Sequence, residues 1–351
     1  MRESKKWLAA AVMFMFCFAS GSAMAADKVT VRVLGGFTQQ IQSTLIEAPF
    51  FKKLGQESGG RLDIQFRTMD EVGQKGFQAM RQLRTGVFDI MEIQLGYVSG
   101  DEPFFQGVDL VGVSPDIQTA KKVMEAYREA FDKKLQEKFE GKLLCLWPYG
   151  DQIFWFKDKI SGLSDFKGKK IRVFSRPMSD FVQYFGGTGV SMAFPEVYTS
   201  LQRGVIDGGV TGALAGNTAA WYEVSSYIYP MPVGYSMQAH VANLKFWNGL
   251  PADTRDFLTK KMKELEDELW AAGAQATGDG INCNTGKDPC KHGKKGKMTL
   301  VPVSAEDKDK MKKAVEEVIL PQWAKDCNKT FGQCTDVWTG LAGKAAGVRF
   351  K

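Results

Sequence analysis

The chain's 351 residues carry 46 lysines and arginines against 40 aspartates and glutamates, a net charge of +6 at pH 7. That excess is mild and lacks the clustered basic stripe of a nucleic-acid-binding surface. With only two histidines, His240 and His292, the usual catalytic constellations are scarce.

Residues 1–25 read as a secretory signal peptide: Arg2, Lys5 and Lys6, an apolar run from Trp7 to about Ala19, then Ala23-Met24-Ala25 as a small-residue cleavage site. The run is too short for a confident membrane span, and no later run of eighteen apolar residues exists. The mature chain is expected to start near Ala26 or Asp27 and to be exported. Its length of about 325 residues exceeds what one core usually holds, so two lobes are expected.

Strand-like and helix-like segments then alternate, which predicts an α/β architecture. VTVRVL (29–34) and RLDIQF (61–66) read as strands, with helical character over 42–55 between them. QKGFQAMRQLRTG reads as a helix stopped at Gly86, followed by a strand entered through Val87. Val123, Tyr127, Phe131, Leu135 and Phe139 recur every four positions, the stripe of an amphipathic helix over 117–139. KLLCLW (142–147) follows as a buried strand. A second half restarts with strand KIRVF (170–174), a helix from about Met178 to Phe185, strand-like VSMAF, helix PEVYTSLQRG and strand VIDGGV. LRTGVFD (83–89) and LQRGVID (201–207) share Leu-x-x-Gly-Val-x-Asp, each a helix ending on a glycine suited to the left-handed cap and leading into a strand. A helix over about 253–277, a polar loop over 278–297 and a helix capped by Ser304 and running to Pro321 complete the order.

Five cysteines remain after processing. Cys283 and Cys290 are seven apart, as are Cys327 and Cys334, so two local disulfides are the simplest assignment in an exported protein. Four cysteines still allow three connectivities. A zinc site with His292 nearby is the alternative, at a spacing unlike the usual two to four residues. Cys145, within LLCLW, reads as a buried free thiol.

Motifs for catalysis are missing: no HExxH, no GxSxG and no GxxxxGK[ST] occur. GGVTGALAG (208–216) is glycine-rich without the lysine or spacing of a phosphate loop. Tyr97, Trp147, Tyr149, Phe154, Trp155, Phe194, Trp221 and Tyr235 sit near strand ends, where open α/β folds form ligand clefts. Arg172 and Arg176, at and just beyond a strand end in KIRVFSRP, stand in an otherwise apolar or turn-forming neighbourhood.

The segment DFKGKKIRVFSRPMSDFVQYFGGTGVSMAFPEVYTSLQRGVIDGG (165–209) resembles the solute-binding proteins of tripartite ATP-independent periplasmic (TRAP) transporters. KGKKIRV, SMAFPEVYTSLQ and GVIDGG match the family's pattern in order and spacing. Weaker similarity extends through SGGRLDIQF, VGQKGFQAMRQLRTGVFDI and the two late helices; the cysteine-bearing loops are not part of that pattern.

The resemblance implies a two-lobed periplasmic-binding-protein-like fold with a ligand cleft between the lobes and a long bracing helix. Lobe I would be 27–149 plus 238–277, and lobe II 150–237 plus 278–351. It implies that Arg172 forms a bidentate pair with a solute carboxylate, for which a planar guanidinium is matched and a lysine is not. Phe194 falls where an aromatic packs on the solute, and Thr211 where many members place an asparagine. Gln152 lies near a second arginine of sialic-acid-type members, while Gln94, Tyr97 and Tyr235 align with further lining positions. Arg176, which the family does not fix, is either a second positive group or solvent-facing. The implied solute is a small organic anion, a carboxylate or a sulfonate such as isethionate. The implied partners are integral membrane permease subunits, with no cofactor, no metal, no catalytic residue and no nucleic acid. A secreted α/β hydrolase built on His240, and a periplasmic sensory ligand-binding protein, are the competing readings.

Overall fold

The computed structural model of the protein describes residues 28–350; the expected signal peptide lies outside them. Strands β1 (Val29–Gly35), β2 (Leu62–Thr68), β3 (Ile90–Gln94), β4 (Gly141–Pro148) and β10 (Met237–Asn243) form one sheet in the order β2-β1-β3-β10-β4. Strands β5 (Gln152–Phe156), β6 (Lys170–Val173), β7 (Thr188–Ser191), β8 (Gly208–Gly212), β9 (Tyr227–Tyr229) and β11 (Thr299–Leu300) form the second, ordered β11-β9-β5-β8-β6-β7. Each sheet mixes parallel pairs (β1 with β2, β6 with β7) with antiparallel ones (β10 with β4, β5 with β8). No helix among the described residues is long and apolar enough to cross a membrane.

The echoed heptads perform one job twice. Gly86 and Gly204 end their helices at φ +65° and +70°, a region open to glycine at no steric cost. Asp89 then accepts the Arg32 N–H of β1 at 2.8 Å, and Asp207 accepts the Lys170 N–H of β6 at 2.7 Å. The aspartate N–H groups donate back to the same residues' carbonyls at 2.9 and 2.8 Å. The joint delays the strands: β3 starts at Ile90 and β8 at Gly208, while Val87 and Val205, read as strand entries, are half exposed.

Two of the chain's passages between the sheets, β4–β5 and β9–β10, pair with each other. Gln152 N–H donates to Gly234 O at 2.8 Å, Val233 N–H to Gln152 O at 3.0 Å, and Tyr149 N–H to Tyr235 O at 3.0 Å. Buried Asp109 fastens the second crossing by accepting the N–H groups of Tyr235 (2.9 Å) and Met237 (3.2 Å). A side chain at Gly234, φ +116°, would stand 2.8 Å from that carboxylate.

A helix over Ala252–Thr285 braces both sheets. Trp270 Nε1 donates to Leu146 O in β4 at 2.8 Å, and Asn284 Nδ2 donates to Ala213 O, just past β8, at 2.9 Å. The helix extends eight residues beyond the predicted stop at 277 because its glycines allow close approach rather than break it. A Cβ on Gly280 would lie 2.1 Å from the Leu214 nitrogen. Disulfides join Cys283 to Cys290 and Cys327 to Cys334, and Cys145 is a buried free thiol.

Ser304 Oγ accepts the Asp307 N–H at 3.0 Å, capping the late helix as predicted. That helix does not end at Pro321. A π-helical turn over Val315–Ile319 places Pro321 in the first turn of a further helix, Leu320–Thr330, where its missing N–H costs nothing. Residues 320–350, which the expected division gives to lobe II, pack on the first-lobe segment 103–139. Trp323 and Trp338 donate their indole N–H groups to Pro103 O and Gly107 O at 2.8 and 2.7 Å.

Candidate functional site

Arg172 stands in β6 between Val190 of β7 and Gly209 of β8, with 1% of its surface exposed. Its Nε donates to Met192 O (3.0 Å), Nη1 to Val210 O (2.7 Å) and Nη2 to the Tyr97 hydroxyl (3.0 Å). Its guanidinium lies 5.0 Å from the centre of the Phe174 ring. All three acceptors are neutral, and no carboxylate among the described residues is within ion-pair reach. Burial holds the guanidinium's pKa below its ordinary value, with Tyr97 partly offsetting it. A guanidinium has five N–H donors, so two remain for another acceptor.

The space at its tip lies between the two sheets. The first sheet contributes Gln94 from the end of β3 and Tyr97 from the short helix that follows. The second contributes Gln152, Phe194 and Thr211. With Arg172, six of the predicted site residues therefore line one cavity. Tyr97 links the walls directly, because its hydroxyl also accepts the Phe194 N–H at 2.9 Å.

Tyr235 and Arg176 do not line it. Tyr235 is buried in the second crossing, where Asp109 holds its backbone. Arg176 starts the helix Arg176–Tyr184 and is half exposed; its Nε donates to Asp180 one turn on at 3.0 Å, so of its two readings the outward one is what the fold adopts.

Sequence reasoning did not place Gln40, Phe174, Gly212, Ala215 and Ser236 in the cavity wall, whereas Tyr149, picked out as an aromatic near a strand end, does line it. Position after a strand end, the signal that picked out Tyr149 after β4, was also available for Gln40 after β1. The π-helical segment Gln42–Glu47 that follows Gln40 turns Gln42, Ser43 and Glu47 inward together.

Behind the first wall lies a wholly buried group of Glu47, Glu92 and His240. Trp147 Nε1, which can only donate, approaches His240 Nδ1 at 3.1 Å, so the facing ring proton sits on Nε2. Nε2 meets Glu47 Oε1 at 2.8 Å. That proton occupies the lone pair a metal would need, and the group reads as a proton-sharing cluster. Burial, then the neighbouring Glu47, raise the Glu92 carboxyl well above its usual range. Tyr149 connects the cluster to the cavity, with its hydroxyl 3.0 Å from Glu92 Oε1 and 2.8 Å from Gln40 Oε1. His240 itself does not line the cleft, which leaves the hydrolase reading without a base.

Residues 34–326 match the model of the bacterial extracellular solute-binding proteins, family 7. The chain belongs to that family. The family consists of extracytoplasmic solute-binding proteins of transporters rather than enzymes. A C4-dicarboxylate-binding periplasmic protein of Rhodobacter capsulatus is 34% identical over 167 residues, 46% of this chain and 49% of that protein. The matched stretch thus spans about half the length of that relative. An uncharacterised protein of Haemophilus influenzae is 27% identical across 76% of this chain and 79% of its own.

Solved structures of the family share the fold. A Bordetella pertussis extracytoplasmic solute receptor binding pyroglutamic acid superposes with TM-score 0.78 at 18% identity, covering 88% of this chain and 99% of that one. A Haemophilus influenzae TRAP periplasmic solute-binding protein with bound L-gulonate gives 0.75 at 22% identity, covering 90% and 100%. At these identities the likeness concerns architecture alone, and it is the two-lobed TRAP solute-binding architecture expected from the KIRV segment.

Proposed function

We propose that this protein captures a small organic monoanion in the cleft between its lobes and delivers it to integral membrane permease subunits of a TRAP transporter. The observation that carries the reading is Arg172: a buried guanidinium with only neutral partners and two N–H groups left at a cavity. Two parallel donors match the two oxygens of a carboxylate, and in a dry cleft such a pair is stronger than in water. A sulfonate presents the same oxygens, so isethionate-like anions remain within the class.

A single charge is favoured because Arg172 is the one cation among the described residues that line the cavity, Arg176 being turned away onto Asp180. The ligands named for relatives, a C4-dicarboxylate, pyroglutamate and L-gulonate, span this chemistry without fixing the solute. Capture would proceed by the lobes closing about the paired crossings, a movement favoured only by contacts the solute makes to both walls. Native mass spectrometry of protein purified from its own cells, followed by identification of the released ligand, tests this. A small monoanion is expected; a cation or a dianion as the sole ligand overturns it.

A further inference from the structure

The cavity wall carries three glutamine amides, and the fold ties one end of each. Gln40 Oε1 accepts the Phe37 N–H (3.1 Å), lies 2.8 Å from the Tyr149 hydroxyl and receives Gln94 Nε2 at 3.4 Å. Those donors fix the carbonyl end inward and leave Gln40 Nε2 for the cavity. Gln94 spends its Nε2 on Gln40, and Gln152 spends its Nε2 on Gly150 O at 2.9 Å. Neither Gln94 Oε1 nor Gln152 Oε1 has a donor among the described residues, and both side chains are at least 96% buried. The wall therefore offers the solute a guanidinium, amide N–H groups and, from Gln94 and Gln152, two carbonyl acceptors with no donor of their own.

From this pattern we infer that the solute bears, besides its anionic group, hydroxyl or N–H donors that Gln94 and Gln152 receive, so that these two residues determine which anions the cleft accepts. The inference rests on the proposed anion-binding function and narrows it. A donorless alkanoate would satisfy Arg172 and leave two buried carbonyls unpaired. Sites built to bond a hydroxyl reject the analogue lacking it far more strongly than apolar pockets reject a missing methylene.

Affinities of the full chain for glycerate, lactate and propionate, which carry two, one and no hydroxyls on one carbon skeleton, test it by calorimetry. Gluconate against hexanoate and isethionate against ethanesulfonate extend the test to larger acids and to sulfonates. The hydroxylated member is expected to bind at least about 100-fold tighter than its donorless partner in at least one series. In Gln94→Met and Gln152→Met proteins that ratio should shrink by about tenfold each, a change that a merely structural role of the amides would not produce. Equal affinities within every series, or ratios unchanged in both variants, overturn the inference while leaving anion binding intact. Binding by none of the seven anions overturns both.

Discussion

Two buried charged groups flank the cleft, and they are built oppositely. On the first wall Glu47, Glu92 and His240 meet one another, with Trp147 and Tyr149 completing the set. On the second wall Arg172 meets only carbonyls and a hydroxyl. A buried charge with partners inside the fold is part of the scaffold, because its desolvation is offset there. A buried charge with neutral partners keeps its capacity to pair with something that is not part of the chain. The difference separates support from recognition more sharply than burial does, since both groups are almost fully enclosed.

The largest expected effect lies on the first wall. Glu47→Ala removes the acceptor of His240 Nε2 and of the Gly36 N–H, leaving buried donors without partners. Breaking a buried pair from one side costs about 3–5 kcal/mol, to be read from urea unfolding. A cost under about 1 kcal/mol would mean that the cluster is not the scaffold element described above.

That cluster also shows where the sequence was and was not legible. Glu92 interrupts an apolar strand, Ile-Met-Glu-Ile, and a lone acid in a fully buried strand demands a partner. The partners come from Glu47 in a π-helical turn and His240 almost 150 residues on, and no local period reports such a meeting. Arg172 was legible because the recognised motif and its physics, a guanidinium near a strand end, lie within a few residues. Gly86 and Gly204 were legible for the same reason, since a helix cap is a local event. Gly280 was misread: a glycine that loosens a loop and one that admits a neighbouring helix look alike until Leu214 is placed against it. Arg176 shows the remaining limit, because four residues of offset settle which turn a side chain occupies but not that Asp180 will draw it outward.

Asp109, at the crossing, extends the comparison to an acid that has only neutral partners. Burial raises its pKa to about 6, against the lowering influence of the backbone N–H groups of Tyr235, Met237 and Ser236. Because the folded value exceeds the unfolded one, the folded state holds the proton more tightly. The resulting stability is present below about pH 4 and is lost as pH rises through about 6, amounting to at most about 3 kcal/mol. Glu92, also raised, acts in the same direction. Unfolding free energies of the native protein and of Asp109→Asn, compared from pH 4 to 7, should diverge with that slope. Parallel curves would show that the crossing holds its acid no differently from solvent.

Arg172 has no such escape, because a guanidinium stays charged wherever the protein is folded. Its unpaired charge is therefore tolerated in the fold and available to an anion, and Arg172→Lys separates those two roles. Lysine keeps a positive group but loses the planar fork, so an anion held bidentately should bind about 2 kcal/mol more weakly, roughly a 30-fold rise in Kd. Unfolding of the ligand-free protein should move by less than about 1 kcal/mol, since the ammonium keeps the buried charge and can still donate to neutral acceptors among Met192, Val210 and Tyr97. The comparison between the walls requires the two substitutions to differ in kind: Glu47→Ala in unfolding, Arg172→Lys in binding. If Arg172→Lys instead unfolds as readily as Glu47→Ala and binds as tightly as the native protein, the guanidinium is a strut between β6 and Tyr97, and recognition must lie with the amides.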